Sequence, residues 1–141
     1  MLKKTIKYVD FNGDEQTDEC YFNLSKTELT EMEASEKGGF ENYINALIAE
    51  KDTKKIFALF KEIVLMSYGQ KSADGTKFVK KKVVDGQMIR LRDEFEQSIA
   101  FDELMMELIN GGDSAVSDFI SKVIPKEVSE QVAKQMASTK A

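Results

Sequence analysis

Residues 3–9 alternate between faces, with Ile6 and Tyr8 on one side of an extended segment and Thr5, Lys7 and Val9 on the other. This is the period-two pattern of a half-buried strand. Asn12-Gly13 follows, a dipeptide that tolerates the positive φ of a tight hairpin turn. On the return, Cys20, Phe22 and Leu24 share one face while Glu19, Tyr21 and Asn23 share the other, so the hairpin can bury a single side. Ser25 then opens a helix. Its hydroxyl can accept from the Glu28 amide, the Glu28 carboxylate can reach back, and Leu24 can pack on Leu29: a capping box with a hydrophobic staple.

From here the period changes to that of helices. The first is expected over residues 26–36, with an acidic outer face and a stop at Gly38-Gly39. A second places Phe40, Tyr43, Ile44, Leu47 and Ile48 on one stripe. Thr53 can cap a third, in which Ile56, Phe57, Leu59, Phe60, Ile63, Val64 and Met66 leave little polar face, as expected of a central helix. Tyr68-Gly69 closes it, and residues 70–76, with Asp74-Gly75, read as a turn. Residues 78–84 and 87–91 flank Asp85-Gly86 and predict a second hairpin. A fourth helix carries Phe101, Leu104, Met105, Leu108 and Ile109 and stops at Asn110-Gly111-Gly112. A fifth carries Val116, Phe119, Ile120, Val123 and Ile124, capped by Asp113 or Ser114 and ended by Pro125. The fold class expected is α+β, with residues 1–125 as one compact domain. Residues 126–141 retain only Val128, Val132 and Met136 at spacing four, too narrow a stripe for an independent helix, and read as a flexible or partner-bound tail.

Composition narrows the function. The chain has 141 residues, of which 42% are hydrophobic and 32% charged, with a net charge of −5, enough apolar material for a core under a well-solvated acidic surface. Twenty basic residues against 25 acidic ones argue against nucleic acid as principal partner, because phosphate binding needs clustered cations. The apolar run at residues 63–66, like the five-residue run at 56–60, is far short of the roughly 20 residues that span a bilayer, so no membrane span is expected. The N-terminus alternates where a signal peptide would be continuously apolar. One cysteine cannot form an internal disulfide and suits a reducing cytoplasm.

Candidate chemistry is sparse. With no histidine in the chain, the usual general base of hydrolytic triads and the commonest nitrogen ligand of zinc are missing. Cys20 lies within strand alternation beside Phe22 and reads as a packed thiol. Asp10, Asn12, Asp14 and Glu19 suggest a calcium loop, but Glu15 stands where an EF-hand needs glycine and Tyr21 where it needs glutamate. The pairs Glu103/Glu107 and Glu28/Glu31 read as solvated helix faces rather than an acid–base pair. Phe78 with Lys80, Lys81 and Lys82 reads as edge-strand protection, since a strand sends successive lysines to opposite faces. No glycine-rich phosphate loop is present. No catalytic residue, metal site or cofactor is expected. Met105 and Met106 are adjacent on one helix and cannot both enter one core. A flexible thioether left outside suits varied apolar partners, and Val128, Val132 and Met136 offer a comparable recognition strip. These five are the candidate residues for binding an apolar partner.

Four stretches, KTIKYVDFNGDEQTDECYFNLSKTEL, KKIFALFKEIVLMSYGQKSADGTKFVK, DEFEQSIAFDELMMEL and FISKVIPKEV, resemble the tail assembly chaperones of long-tailed bacteriophages and prophages. Cys20 departs from that pattern, in place of a larger apolar residue, and VKKKVVDGQMIRL reads as a variable hairpin. The resemblance implies a non-enzymatic protein of the bacterial host cytoplasm that binds the tape measure protein. It would keep that client soluble while tail tube subunits polymerise, and be absent from the mature virion. The tail tube protein and a longer, frameshifted form of the chain itself are further partners it implies. The alternative is a structural tail or head-tail connector subunit retained in the virion, with the two hairpins adding strands to neighbours.

Overall fold

A computed structural model describes residues 1–35 and 53–125. The expected helix at residues 40–48, the glycine stop at Gly38-Gly39 and the tail at 126–141 lie outside them. The described elements form an α+β fold: strands β1 (Leu2–Val9) and β2 (Glu15–Phe22), helix α1 (Lys26–Ser35), helix α2 (Thr53–Ser67), strands β3 (Tyr68–Lys71), β4 (Phe78–Val79), β5 (Lys81–Val84) and β6 (Gln87–Arg90), and helices α3 (Leu91–Glu96), α4 (Ile99–Asn110) and α5 (Gly112–Val123). An antiparallel sheet runs in the order β1-β2-β3-β4, and β5-β6 form a separate pair.

The first hairpin follows the alternation. Ile6, Cys20 and Phe22 are buried while Thr5, Lys7, Val9, Thr17 and Glu19 are exposed. Its turn is wider than a two-residue Asn-Gly turn. Only Gly13 takes a positive φ, +86°, and the Asp10 carboxylate organises the loop by accepting from the Asn12 and Asp14 amides, each at 2.9 Å. Asp85-Gly86 is the tighter turn, with φ of +50° and +78° and Val84 paired directly to Gln87. The capping box at α1 forms as expected: the Ser25 amide donates to Glu28 Oε1 at 2.9 Å and the Glu28 amide to Ser25 Oγ at 3.1 Å. Leu24 and Leu29 both enter the core.

Three expectations need correction. Tyr68-Gly69 does not end in a loop: the chain passes from α2 straight into β3, where Tyr68 pairs with Phe22 and Gly69 with Tyr21. Tyr-Gly-Gln-Lys carries no alternating pattern, so its extension is imposed by the neighbouring strand. Gly69 is required there, because a Cβ would lie 2.4 Å from the Phe78 ring and 2.7 Å from the Val79 carbonyl oxygen. The long arm expected at 78–84 is split, Phe78-Val79 pairing with β3 and Lys81–Val84 with β6. The break falls at Lys80, whose carbonyl accepts from the Leu91 amide at 2.9 Å. Finally, α5 is not capped by Asp113 or Ser114. Its N-cap is Gly111, in helical conformation and without a side-chain cap, because α4 runs into α5 with no extended residue between them.

The core lies between the sheet and the helices and is dominated by rings. Phe22 meets Tyr68, Phe95 and Phe119 edge-on, with centroids 5.7, 5.8 and 5.3 Å away. Tyr68 stacks on Phe95 at 3.9 Å, and the cluster extends through Phe119 to Phe60 and through Phe95 to Phe101. Backbone bonds lock the exit of β2 to two helix ends: the Asn23 amide donates to Ser67 O and the Leu24 amide to Val123 O, each at 2.7 Å, satisfying carbonyls that a helix C-terminus leaves open. Phe22→Ala should cost about 3–5 kcal/mol in urea denaturation. Gly69→Ala should cost about 1–3 kcal/mol, as overpacking does, although it adds a single methyl.

Candidate functional site

The adjacent methionines of α4 part company in the fold. Met105 is 2% exposed and belongs to the core, whereas Met106 is 50% exposed. Of the pair, the solvent-facing thioether is Met106, and Met105 could offer itself to a partner only by leaving the core. Ile109, three residues after Met106, is also exposed, so the two share a helix face. Val128, Val132 and Met136 lie outside the described residues. Sequence reading placed Ile109 among core positions, since it shares the stripe of Phe101 and Leu108. The two hairpins supply apolar side chains that periodicity did not single out: Phe11, 91% exposed at the first tip, and Val83 with Met88, directly opposed near the second.

A cleft of ≈ 200 Å³ opens between α1, the end of α2 and the base of the second hairpin, lined by Glu28, Met66, Lys80, Lys81, Arg90 and Arg92 among others. Its cations are largely matched. Lys80 pairs with the cap residue Glu28 and donates to the Met66 carbonyl at 2.7 Å. Desolvation lowers the Lys80 pKa, against the opposing pull of that carboxylate. Arg92 grips Glu62 of α2 with two bonds of 2.9 Å, which holds the Glu62 carboxyl below its usual range. Lys82 turns to Glu94 at 2.8 Å. The lysine run read from the sequence is thus divided between separate carboxylates.

The acidic pairs gather no reaction centre. Glu103 and Glu107 are exposed, and Glu107 pairs with Lys4 at 3.2 Å. Glu28 is committed to its cap and to Lys80. Among the described residues no group of three or more carboxylates and thiols is placed to hold a metal ion, and no helix is long and apolar enough to cross a membrane.

A sequence model of the phage tail assembly chaperone family matches residues 1–141, the whole chain. The protein belongs to that family. No curated protein and no solved structure matches it. The chaperone thus carries its family's pattern over residues 1–141, and among the described residues its large exposed apolar side chains include Met106 and Ile109 on α4, Phe57 on α2 and several on the two hairpins.

Cys20 of the chaperone is a core residue. Burial, with the Asp18 carboxylate adding to it, pushes its thiol from 9.0 up to about 11. Tyr68, in the same cluster, is pushed from 10.0 up to about 12, chiefly by desolvation. Both groups ionise earlier in the unfolded chain, so the unfolded state binds fewer protons above its own pKa and stability declines as pH rises. The Cys20 share is intact below about pH 9 and is lost by about pH 11. Stability should therefore fall across that window in urea titrations, and less so in Cys20→Val. Native Cys20 should also resist alkylation near pH 8 and react rapidly once unfolded.

Proposed function

We propose that this chaperone binds the tape measure protein in the cytoplasm of the infected or lysogenic bacterial host and keeps it soluble while tail tube subunits polymerise around it. It acts by side-chain contact without bond-making chemistry, and it leaves before the virion is complete. The family match over residues 1–141 carries the reading. The exposed pair Met106 and Ile109 on α4 supports it, because an unbranched thioether adapts to successive apolar surfaces of a long client. Tail residues Val128, Val132 and Met136 extend the proposed contact surface. Release follows where tube subunits bury the same client surface more completely. The tail tube protein and a longer frameshifted form of the chain are the further partners proposed.

A second reading, a structural tail or connector subunit kept in the virion, is favoured by sheet edges without a strand partner among the described residues and by Phe11 and Met88 standing exposed on the hairpins. Particle composition separates the two: a chaperone is missing from purified virions and co-purifies with tape measure protein, whereas a structural subunit is stoichiometric in particles.

Polar substitution tests the surface. Met106→Asp with Ile109→Asp should lower the soluble yield of a co-expressed tape measure fragment several-fold while the chaperone's thermal melt stays near wild type. A separate variant with serine at Val128, Val132 and Met136 should do the same. Unchanged client solubility in both would remove these surfaces. Met105→Asp is not a test, because it places a carboxylate in the core.

A further inference from the structure

The two faces of the β5-β6 hairpin are unlike. By the pleat, Lys82, Val84, Gln87 and Ile89 share one face, which Lys82 ties to Glu94 of α3. Lys81, Val83, Met88 and Arg90 share the other. Val83 and Met88, directly opposed there, are 65% and 62% exposed. The next pair toward the body, Lys81 and Arg90, lines the ≈ 200 Å³ cleft together with Leu65, Met66 and Tyr68. Two cations directly opposite one another on a sheet face repel. Arg90 is relieved by Asp93, which accepts from its Nε and Nη2 at 3.0 Å each, whereas Lys81 has no carboxylate partner among the described residues. Around the cleft, Lys80, Lys81, Arg90 and Arg92 meet the carboxylates of Glu28, Asp93 and Glu62. A positive charge is left over, in a chain whose net charge is −5.

We propose that this hairpin face and the cleft at its base form a docking site for an acidic, apolar segment of another protein. A carboxylate of the segment sits between Lys81 and Arg90, one large apolar side chain beside it rests on Val83 and Met88, and another enters the cleft. The spacing suits a peptide. One two-residue step, roughly 7 Å, separates the Val83/Met88 pair from Lys81/Arg90, which is the distance between alternate side chains of an extended chain and close to one helical turn. Charge fixes the sign of the partner, because a shared carboxylate cancels the repulsion that Lys81 and Arg90 exert on each other in the free chain. The exposed bond from Arg90 to Asp93 holds little energy and can be shared. A nucleotide or nucleic acid fits less well. The cleft is smaller than the ~300–1,000 Å³ of most small-molecule sites. Lys80 is committed to Glu28 and the Met66 carbonyl, and Arg92 to Glu62, so no track of unpaired cations is left for a phosphate backbone. The chain's own residues 126–141 have the wrong sign, with Lys126, Lys134 and Lys140 against Glu127 and Glu130.

Two short blocked peptides with the same leucine spacing, one with glutamate and the other with lysine at the intervening positions, test this by amide chemical-shift titration of the full chain. The glutamate peptide should shift the amides of residues 81–90, Met66 and Tyr68, with an affinity that falls as salt rises. The lysine peptide should not. Val83→Ser with Met88→Ser should weaken binding roughly tenfold or more, and the melt should stay near wild type because both side chains are exposed. Lys81→Glu is read twice. It should weaken the glutamate peptide roughly tenfold or more while raising the melting temperature by roughly 1–3 °C, since a glutamate there faces Arg90 with opposite charge. Lys7→Glu, on β1 and outside the cleft, makes the same change in net charge and should leave binding within about twofold of wild type. Shifts at Val83 and Met88 that grow with protein concentration in the absence of peptide would assign the face to a second copy, and equal binding of an oligothymidylate would assign it to a phosphate backbone. Either result, a glutamate peptide that binds no better than the lysine one, or undiminished binding to Lys81→Glu would overturn the proposal.

Discussion

The Phe22 ring is fully buried and touches one ring from each of three other elements: Tyr68 of β3, Phe95 of α3 and Phe119 of α5. Edge-on contacts of this kind favour defined orientations beyond the apolar area they bury. The next two residues continue the constraint, since the Asn23 and Leu24 amides close the carbonyl ends of α2 and α5. Three consecutive residues at the end of β2 therefore set where β3 starts, how α3 lies and how two helices stop. The four residues of β3 and the six of α3 are too short to persist alone.

Electrostatics tighten this frame where it is partly dry. Glu28 serves the N-terminus of α1 and Lys80, and Lys80 also reaches the last turn of α2 through Met66 O. One lysine thus joins α1, α2 and the break between β4 and β5. The paired bonds from Arg92 to Glu62 fasten α3 to α2. What this interior leaves outside is also informative. Both hairpins run past the core, carrying Phe11 at one tip and Val83 and Met88 near the other, while α4 turns Met106 outward. A tail assembly chaperone has to meet other proteins, and these are among the exposed apolar points of the described residues.

Features carried by short-range pattern were legible in the sequence. The first hairpin, the capping box at Ser25 and Glu28, the turn at Asp85-Gly86, and the division of Met105 from Met106 each depend on residues within a few positions of one another. The candidate surface was legible in part. Adjacent methionines on a helix cannot share one face, but which of them faces solvent depends on the orientation of α4. Ile109, which periodicity placed in the core, stands at the edge of the stripe, where no neighbouring element covers it. Helix α3 was missed because Leu91 and Phe95 supply only two buried positions. The signal available was Ser98, which accepts from the Phe101 amide at 3.1 Å and marks a fresh helix start.

The sequence by itself determined the α+β class, the buried face of the first hairpin, the start of α1 and the absence of histidine chemistry, because alternation, caps and composition act locally. Only the tertiary structure decided that Tyr-Gly-Gln-Lys is a strand, that the lysine arm breaks at Lys80, and that β3 pairs with β2 only at Tyr21 and Phe22. Those outcomes rest on contacts between residues far apart in the chain: Gly69 has no room for a side chain against Phe78 and Val79, and β3 reaches β2 only as far as Tyr21.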